Sequence, residues 1–233
     1  MTTSDASRQS QRAQPSIPIA CIVLAAGASS RMKAAVGEHK LRQYLTPEET
    51  LLASALRLYE SLPFEEILLV ASEETKDAQF GKGARARRSR IIVNPNAADG
   101  GMASSIALGA ATAHAEAQGF LIALGDMPFL RRETLIRLCE SALQSGADAI
   151  AAPLFNGKRG HPVVFGAAHK EDLARLTGAK GAQSIIRERR ESLVLIDTDD
   201  AGVVADIDAP EDWEQARATF PAFFQPNSSP FSP

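Results

Sequence analysis

Short apolar runs alternate along this chain with longer amphipathic segments, the rhythm of an α/β fold in which a mostly parallel sheet is covered by helices on both faces. The runs at residues 19–24, 66–70, 91–93, 120–124 and 149–152 predict strands, and residues 50–59, 102–117 and 131–143 predict the helices between them. In the last of these helices Leu135, Leu138, Cys139 and Ala142 follow the i, i+3, i+4, i+7 spacing of a buried stripe. Past residue 152 the rhythm changes. Pro153, Gly157, Gly160 and Pro162 bracket a loop before an apolar run at 163–165, which reads as a hairpin-like excursion over the open end of the sheet. A late strand at 193–196 and a closing helix at 211–219 follow, and no internal repeat is visible. Residues 1–16 are polar, and 221–233 mix Pro, Ser and Asn with scattered Phe, so both ends are expected to be unstructured and residues 17–220 to form one domain.

Composition narrows the classes. With 233 residues the chain can bury one substantial core, and 45% hydrophobic with 23% charged residues is ordinary for a globular protein. A formal net charge of -3 argues against a nucleic-acid partner, whose phosphates ask for a basic surface. The one basic run, from Arg85 to Arg90, is short and set among Gly and Ser, as in a solvated loop. The two cysteines, Cys21 and Cys139, make neither a disulfide framework nor a clustered metal site. The N-terminal stretch lacks the apolar centre of a signal peptide, and no apolar run approaches the ~20 residues needed to span a bilayer. A cytoplasmic protein is the expectation.

Candidate chemistry gathers where strands end. The first predicted strand runs into Leu24-Ala25-Ala26-Gly27-Ala28-Ser29-Ser30-Arg31-Met32. Small residues there let the backbone approach a ligand, N–H groups can face phosphate oxygens, and Arg31 supplies a forked cation. The alternative is a tight strand-to-helix turn; neither GxGxxG nor GxxxxGK[ST] is present. Leu124-Gly125-Asp126-Met127-Pro128 places a carboxylate just past a strand, where open α/β sheets bind ligands. Phosphoryl chemistry needs a hard cation, so Asp126 reads as an Mg²⁺ ligand or, alternatively, as a helix cap. Around Ile207, alternation puts Asp206 and Asp208 on one side, although Asp208 could also cap the last helix. Asn94-Pro95-Asn96 and Gly101-Met102-Ala103-Ser104-Ser105 open a helix whose amides and hydroxyls can read a base or ribose, with Ser104 alternatively an N-cap. Gly157-Lys158-Arg159-Gly160-His161-Pro162 forms a flexible basic loop suited to an anionic acceptor.

Together these segments resemble the nucleotidyltransferases that mature the molybdenum cofactor, in particular the molybdenum cofactor cytidylyltransferase group, over roughly residues 19 to 220. Family members carry LAAG-x-S-x-RM, a Lys, NP with GM-x-x-S, GD-x-P, G-x-x-GHP and a closing D-x-DTPED. Here the corresponding segments are residues 24–32, Lys40, Asn94-Pro95, and residues 101–105, 125–128, 157–162 and 206–212. The resemblance implies a Rossmann-like sheet of the nucleotidyltransferase type. It implies that the Gly27 to Arg31 loop and Lys40 hold a triphosphate, while Asp126 and Asp208 hold Mg²⁺. LAAG in place of LAGG favours CTP over GTP. The implied reaction moves CMP from CTP onto the molybdenum-bound pterin cofactor, with a molybdenum hydroxylase as the recipient of the product.

Two departures qualify the resemblance. The stretch from Lys33 to His39 is longer than the usual spacing, so Lys33 competes with Lys40 for the phosphate role. The family's late GD-x-GAR segment reads Gly178-Ala179-Lys180-Gly181-Ala182-Gln183, without its acidic and basic members, which leaves Lys180 as the candidate acceptor contact. A sugar or polyol phosphate acceptor on the same fold, and a non-catalytic carrier of finished cofactor, are the competing readings.

Overall fold

The computed structural model describes residues 16–79, 88–178 and 181–224. The expected tails at 1–15 and 225–233, and Lys180, lie outside the described residues. Eight strands form one sheet: β1 (Ile17–Ala25), β2 (Phe64–Ala71), β3 (Arg90–Val93), β4 (Gly119–Leu124), β5 (Ile150–Phe155), β6 (Lys158–Arg159), β7 (Val163–Gly166) and β8 (Leu193–Asp197). The helices are α1 (Ser30–Val36), α2 (Leu51–Glu60), α3 (Gly101–Thr112), α4 (Arg132–Ser145), α5 (Lys170–Ala174), α6 (Gln183–Glu188) and α7 (Pro210–Thr219). The strand order is β3-β2-β1-β4-β7-β5-β6, with β8 alongside β5. β1 pairs in parallel with β2 and β4, β2 with β3, and β5 with β8.

Successive side chains of a strand face opposite sides, and β1 has no polar residue on either. Cys21, Val23 and Ala25 join Leu52, Leu56, Leu135 and Leu138 from α2 and α4 in one core. Ala20, Ile22 and Leu24 join Ile106, Leu173 and Ile185 from α3, α5 and α6 in the other. A strand buried on both faces must be covered by helices on both, which gives the expected architecture. It also leaves only the strand ends open to a ligand.

Several expectations change. The segment at 163–166 is not an excursion over the sheet: β7 runs antiparallel between β4 and β5 as a sheet member. The loop ahead of it is pinned rather than flexible, because Gly160 N donates to Pro153 O at 2.9 Å and His161 N to Val203 O at 2.8 Å. Helix α3 stops at Thr112, short of 117. The Arg85–Arg90 run is not simply solvated, since Arg88 donates to the carbonyls of Glu60, Leu62 and Phe64 at 3.0 to 3.1 Å. Arg85 and Arg87 lie outside the described residues.

The start of the expected C-terminal tail is ordered as well. Phe129 stacks on Phe220 with ring centroids 4.5 Å apart and meets Phe223 edge-on at 5.3 Å. Such offset and edge contacts add to the energy of burying the rings. Phe129 follows the Gly125–Pro128 turn, so this cluster anchors the turn from behind. Phe129→Ala should cost about 3–5 kcal/mol, because the ring is 1% exposed and its removal leaves a cavity; denaturant unfolding of the two chains measures the difference.

Candidate nucleotide and metal site

The open ends of β1 and β4 look into a cleft of about 460 Å³. Its first wall is the β1–α1 loop, where Leu24, Ala25, Ala26, Gly27, Ser29, Ser30 and Arg31 all line the cavity. Two features shape this loop. Ser29 sits in the left-handed region at φ 54°, an unusual conformation for a residue with a side chain, and its Oγ accepts from Lys40 N at 2.9 Å. His39, 1% exposed, accepts from Leu41 N through Nδ1 at 3.2 Å, and its Nε2 lies 2.8 Å from Gly27 O. Since Nδ1 is an acceptor, Nε2 carries the proton and donates to Gly27, which fixes the neutral tautomer. Burial lowers the His39 pKa, outweighing the Gly27 carbonyl that favours protonation.

Gly27 and Gly125 have different surroundings. A Cβ on Gly125 would sit 2.8 Å from Leu52 Cδ1 and 3.1 Å from Leu24 O, so packing excludes it. A Cβ on Gly27 would meet nothing within 4 Å among the described residues, and its φ is ordinary. Neither conformation nor packing asks for glycine there, and its backbone lies open to the cleft.

Opposite the loop stand the acids. Asp126 follows β4, and Ile207 N donates to the Asp126 carbonyl at 3.2 Å, which draws the 206–208 segment against it. Asp206 and Asp208 both line the cleft. Lys40 lies between the groups: Nζ is 2.5 Å from Asp126 Oδ2 and also bonds Asp208 Oδ1, while Arg31 bonds Asp208 Oδ2. Burial works against the Lys40 ammonium, but Asp126 and then Asp208 outweigh it and raise its pKa. Burial raises the Asp126 pKa against the opposing pull of Lys40, and Asp206 and Asp208 add to the rise. Asp126 Oδ1 is buried and has no hydrogen-bond partner among the described residues.

The capping alternatives resolve onto other residues. Asp212 Oδ2 accepts from the N–H groups of Asp208 and Ala209, both at 2.7 Å, so α7 is capped without the Asp208 carboxylate. Asp200 accepts from Arg131 N at 2.8 Å and from Thr134 Oγ1 at 2.7 Å, so the start of α4 does not need Asp126. Helix α3 follows Gly100, which makes no side-chain cap, and Ser104 is not its N-cap. Gly101, Met102 and Ser105 reach the cleft. Asn94 and Ser104 sit behind it, with Asn94 Nδ2 donating to Ser104 Oγ at 2.9 Å and Ser105 Oγ at 3.0 Å. Lys33 points away and pairs with Glu74 at 2.5 Å on the surface, which leaves Lys40 as the lysine in the cleft.

Arg159, Gly160 and His161 do not line this cleft. Arg159 lines a second cavity; Gly160 is buried in the loop behind. His161 keeps a buried Nδ1 without a partner, and burial, then Arg159, lower its pKa against the Asp206 carboxylate. His39, Ala97 and Ala98 line the cleft without having been singled out from the sequence. The stretch before Lys40 carried a usable signal for His39, a histidine adjoining a lysine already assigned to the site.

Parallel strands ending in a glycine loop and an acid–lysine pair make an α/β domain with its cleft at the strand ends. The MobA-like NTP transferase domain matches residues 21–193, and the chain belongs to that family. Bifunctional protein GlmU of Cereibacter sphaeroides is 32% identical over 166 residues, covering 70% of this chain and 34% of GlmU, so the chain spans about a third of that relative. Among solved structures, the homologue of Mycobacterium tuberculosis Rv0371c from Mycobacterium sp. strain JC1 superposes with a TM-score of 0.71 at 24% identity, over 88% of this chain and 98% of that one. A Methanothermobacter nucleotidyl transferase gives 0.71 at 23% identity, over 87% and 97%. Rv0371c of M. tuberculosis, solved in complex with manganese, gives 0.65 at 24%, over 84% and 96%. At these identities the likeness is one of fold. No helix among the described residues is long and apolar enough to cross a membrane.

The His39 tautomer generates a pH prediction. Its folded pKa is lowered, so as pH falls below about 6.5 the unfolded chain takes up a proton that the native state resists. The His39 contribution to stability is therefore complete above that pH and is lost as pH falls toward the folded pKa. In His39→Gln, which keeps one donor and one acceptor, denaturant midpoints measured between pH 7.5 and pH 5 should fall less steeply than in the parent chain; parallel curves would remove the assignment.

Proposed function

We propose that this protein transfers CMP from CTP to the molybdenum-bound pterin cofactor with release of pyrophosphate, using Mg²⁺. The observation that carries the reaction class is Asp126, set at the end of β4 with one carboxylate oxygen on Lys40 and the other buried without a partner among the described residues. An orphaned carboxylate oxygen in a cleft is costly unless a ligand completes it. Charge supports the same reading. Arg31 and Lys40 face three carboxylates in this cleft, a balance that by itself would repel a triphosphate. The residues fit a hard divalent cation: Asp126 and Asp208 converge on Lys40, and Mg²⁺ characteristically takes one or two carboxylates plus phosphate oxygens and water. Asp126 and Asp208 would hold it. Bound there, it would neutralise charge on the phosphates and tip the cleft positive.

The chain's own residues do the rest. An acceptor phosphate oxygen attacks the α-phosphorus of the NTP, the bond from that phosphorus to the bridging oxygen breaks, and pyrophosphate leaves. The nucleophile is already ionised at pH 7, so no general base is needed and His161 has no proton to move. Lys40 and Arg31, already held in the cleft through Asp208, supply positive charge to the phosphates without reorganising over a long distance. Gly27 leaves room for the triphosphate against the backbone. The first turn of α3, with Gly101, Met102 and Ser105 at the cleft, faces the nucleoside. CTP and the pterin acceptor rest on the LAAG and GHP segments, and delivery to a molybdenum hydroxylase follows from that product. A sugar or polyol phosphate is the second acceptor class to test.

Asp126→Asn should lower pyrophosphate release by about 10²-fold or more while the unfolding midpoint stays near that of the parent chain. Unchanged turnover would remove the metal role. A panel of CTP and GTP against molybdenum-loaded pterin, sugar phosphates and polyol phosphates assigns the substrates; turnover only on another phosphate would overturn the pterin, and cofactor binding without NTP consumption would make the protein a carrier.

A further inference from the structure

A second cavity has a volume of about 390 Å³. Three guanidinium groups from three separate elements converge on it: Arg159 on β6, Arg187 on α6 and Arg190 in the helical turn before β8. Among the described residues none of the three makes an ion pair, whereas Arg189 and Arg175 close by pair with Asp172 and Glu171. Three like charges without a paired acid thus line one cavity, in a chain whose net charge is -3. A solvated charge run would place its arginines on a convex face; these three line a concave one, with Ile186 and Leu193 as an apolar wall and Ser184 as a neutral donor. Forked guanidinium donors around a pocket of this kind match the oxygens of a phosphate-type anion.

The two cavities have no lining residue in common, but one loop connects their surroundings. Arg159 lines the second, while His161, two residues on, senses the Asp206 carboxylate that lines the first. The backbone between them is fixed by the hydrogen bonds of Gly160 and His161 to Pro153 and Val203. We propose that the Arg159, Arg187 and Arg190 cavity binds a second anionic group of the acceptor. The acceptor is then a molecule with two anionic ends, one reacting in the nucleotide cleft and one clamped here. The identity of the occupant rests on the nucleotidyl-transfer reading; anion binding by the cavity does not.

The test titrates inorganic phosphate into the full chain, into Arg187→Gln/Arg190→Gln and into Arg31→Gln, with unfolding midpoints checked for each. Phosphate affinity should fall about tenfold or more in the double variant and hold in Arg31→Gln. Equal affinity in all three, or loss confined to Arg31→Gln, overturns the site. Arg187→Lys, which keeps charge but loses the fork, should fall between the parent chain and the double variant. In turnover with molybdenum-loaded pterin the double variant should raise the acceptor KM about tenfold and leave the nucleotide KM unmoved. An unmoved acceptor KM overturns the assignment to the acceptor. Inactivity of the parent chain with every acceptor would sink the nucleotidyl-transfer reading, and the phosphate titration would still decide the cavity.

Discussion

The Lys40 ammonium sits between the carboxylates of Asp126 and Asp208, and the rest of the site is arranged around that bridge. It joins three parts of the chain distant in sequence: the segment after α1, the end of β4 and the approach to α7. Burial would favour neutralising each charge singly. Together the opposite charges outweigh it at Lys40, whose pKa rises, while Asp126 remains under strain from desolvation. Asp208 is 27% exposed and also pairs with Arg31, so the loss of one carboxylate still leaves Lys40 with a partner. The bridge thus stores two acids and a base close together in the one place where strand ends leave the fold open.

Around this centre a set of polar residues take up backbone hydrogen bonds that the reactive groups would otherwise have to satisfy. Asp212 caps α7 and frees the Asp208 carboxylate; Asp200 holds the start of α4 and frees Asp126. Asn94 binds the hydroxyls of Ser104 and Ser105 from behind α3. His39 fastens the glycine loop through Gly27 O. None of these needs to touch a substrate. Their effect is to hold side chains and loops in place before any ligand arrives, which is where positional catalysis draws its advantage.

The antiparallel insertion of β7 between β4 and β5 divides the sheet's working edge in two. On one side, parallel β1 and β4 end at the cleft; on the other, β5 runs on toward the loop that bears Arg159, while the helical turn with Arg190 precedes β8 at the opposite end of the sheet, where Leu193 lies beside Ile150. Because β7 runs opposite to β4 and β5, the loop bearing Arg159 and His161 lies at the same end of the sheet as the cleft.

The alternation of apolar strands with amphipathic helices, the glycine loop after β1 and the lone acid after β4 were legible in the amino-acid sequence. Each is a local requirement: burial on both faces of a strand, room for a ligand at a backbone turn, a charge at a strand end. Asp212 meets the N–H groups of Asp208 and Ala209 within one turn, whereas the choice of Lys40 over Lys33 and the freedom of Asp126 from capping were not local, because Glu74 and Asp200 reach their partners only in the folded chain. The same holds for β7, whose short apolar run carries no mark of direction or neighbour, and for Phe223 and Phe224, which read as tail until Phe129 is placed beside them. Sequence determined the chemistry available at each strand end; tertiary contacts decided which groups share one cleft, because pairing and burial are set by distances in space that spacing along the chain does not encode.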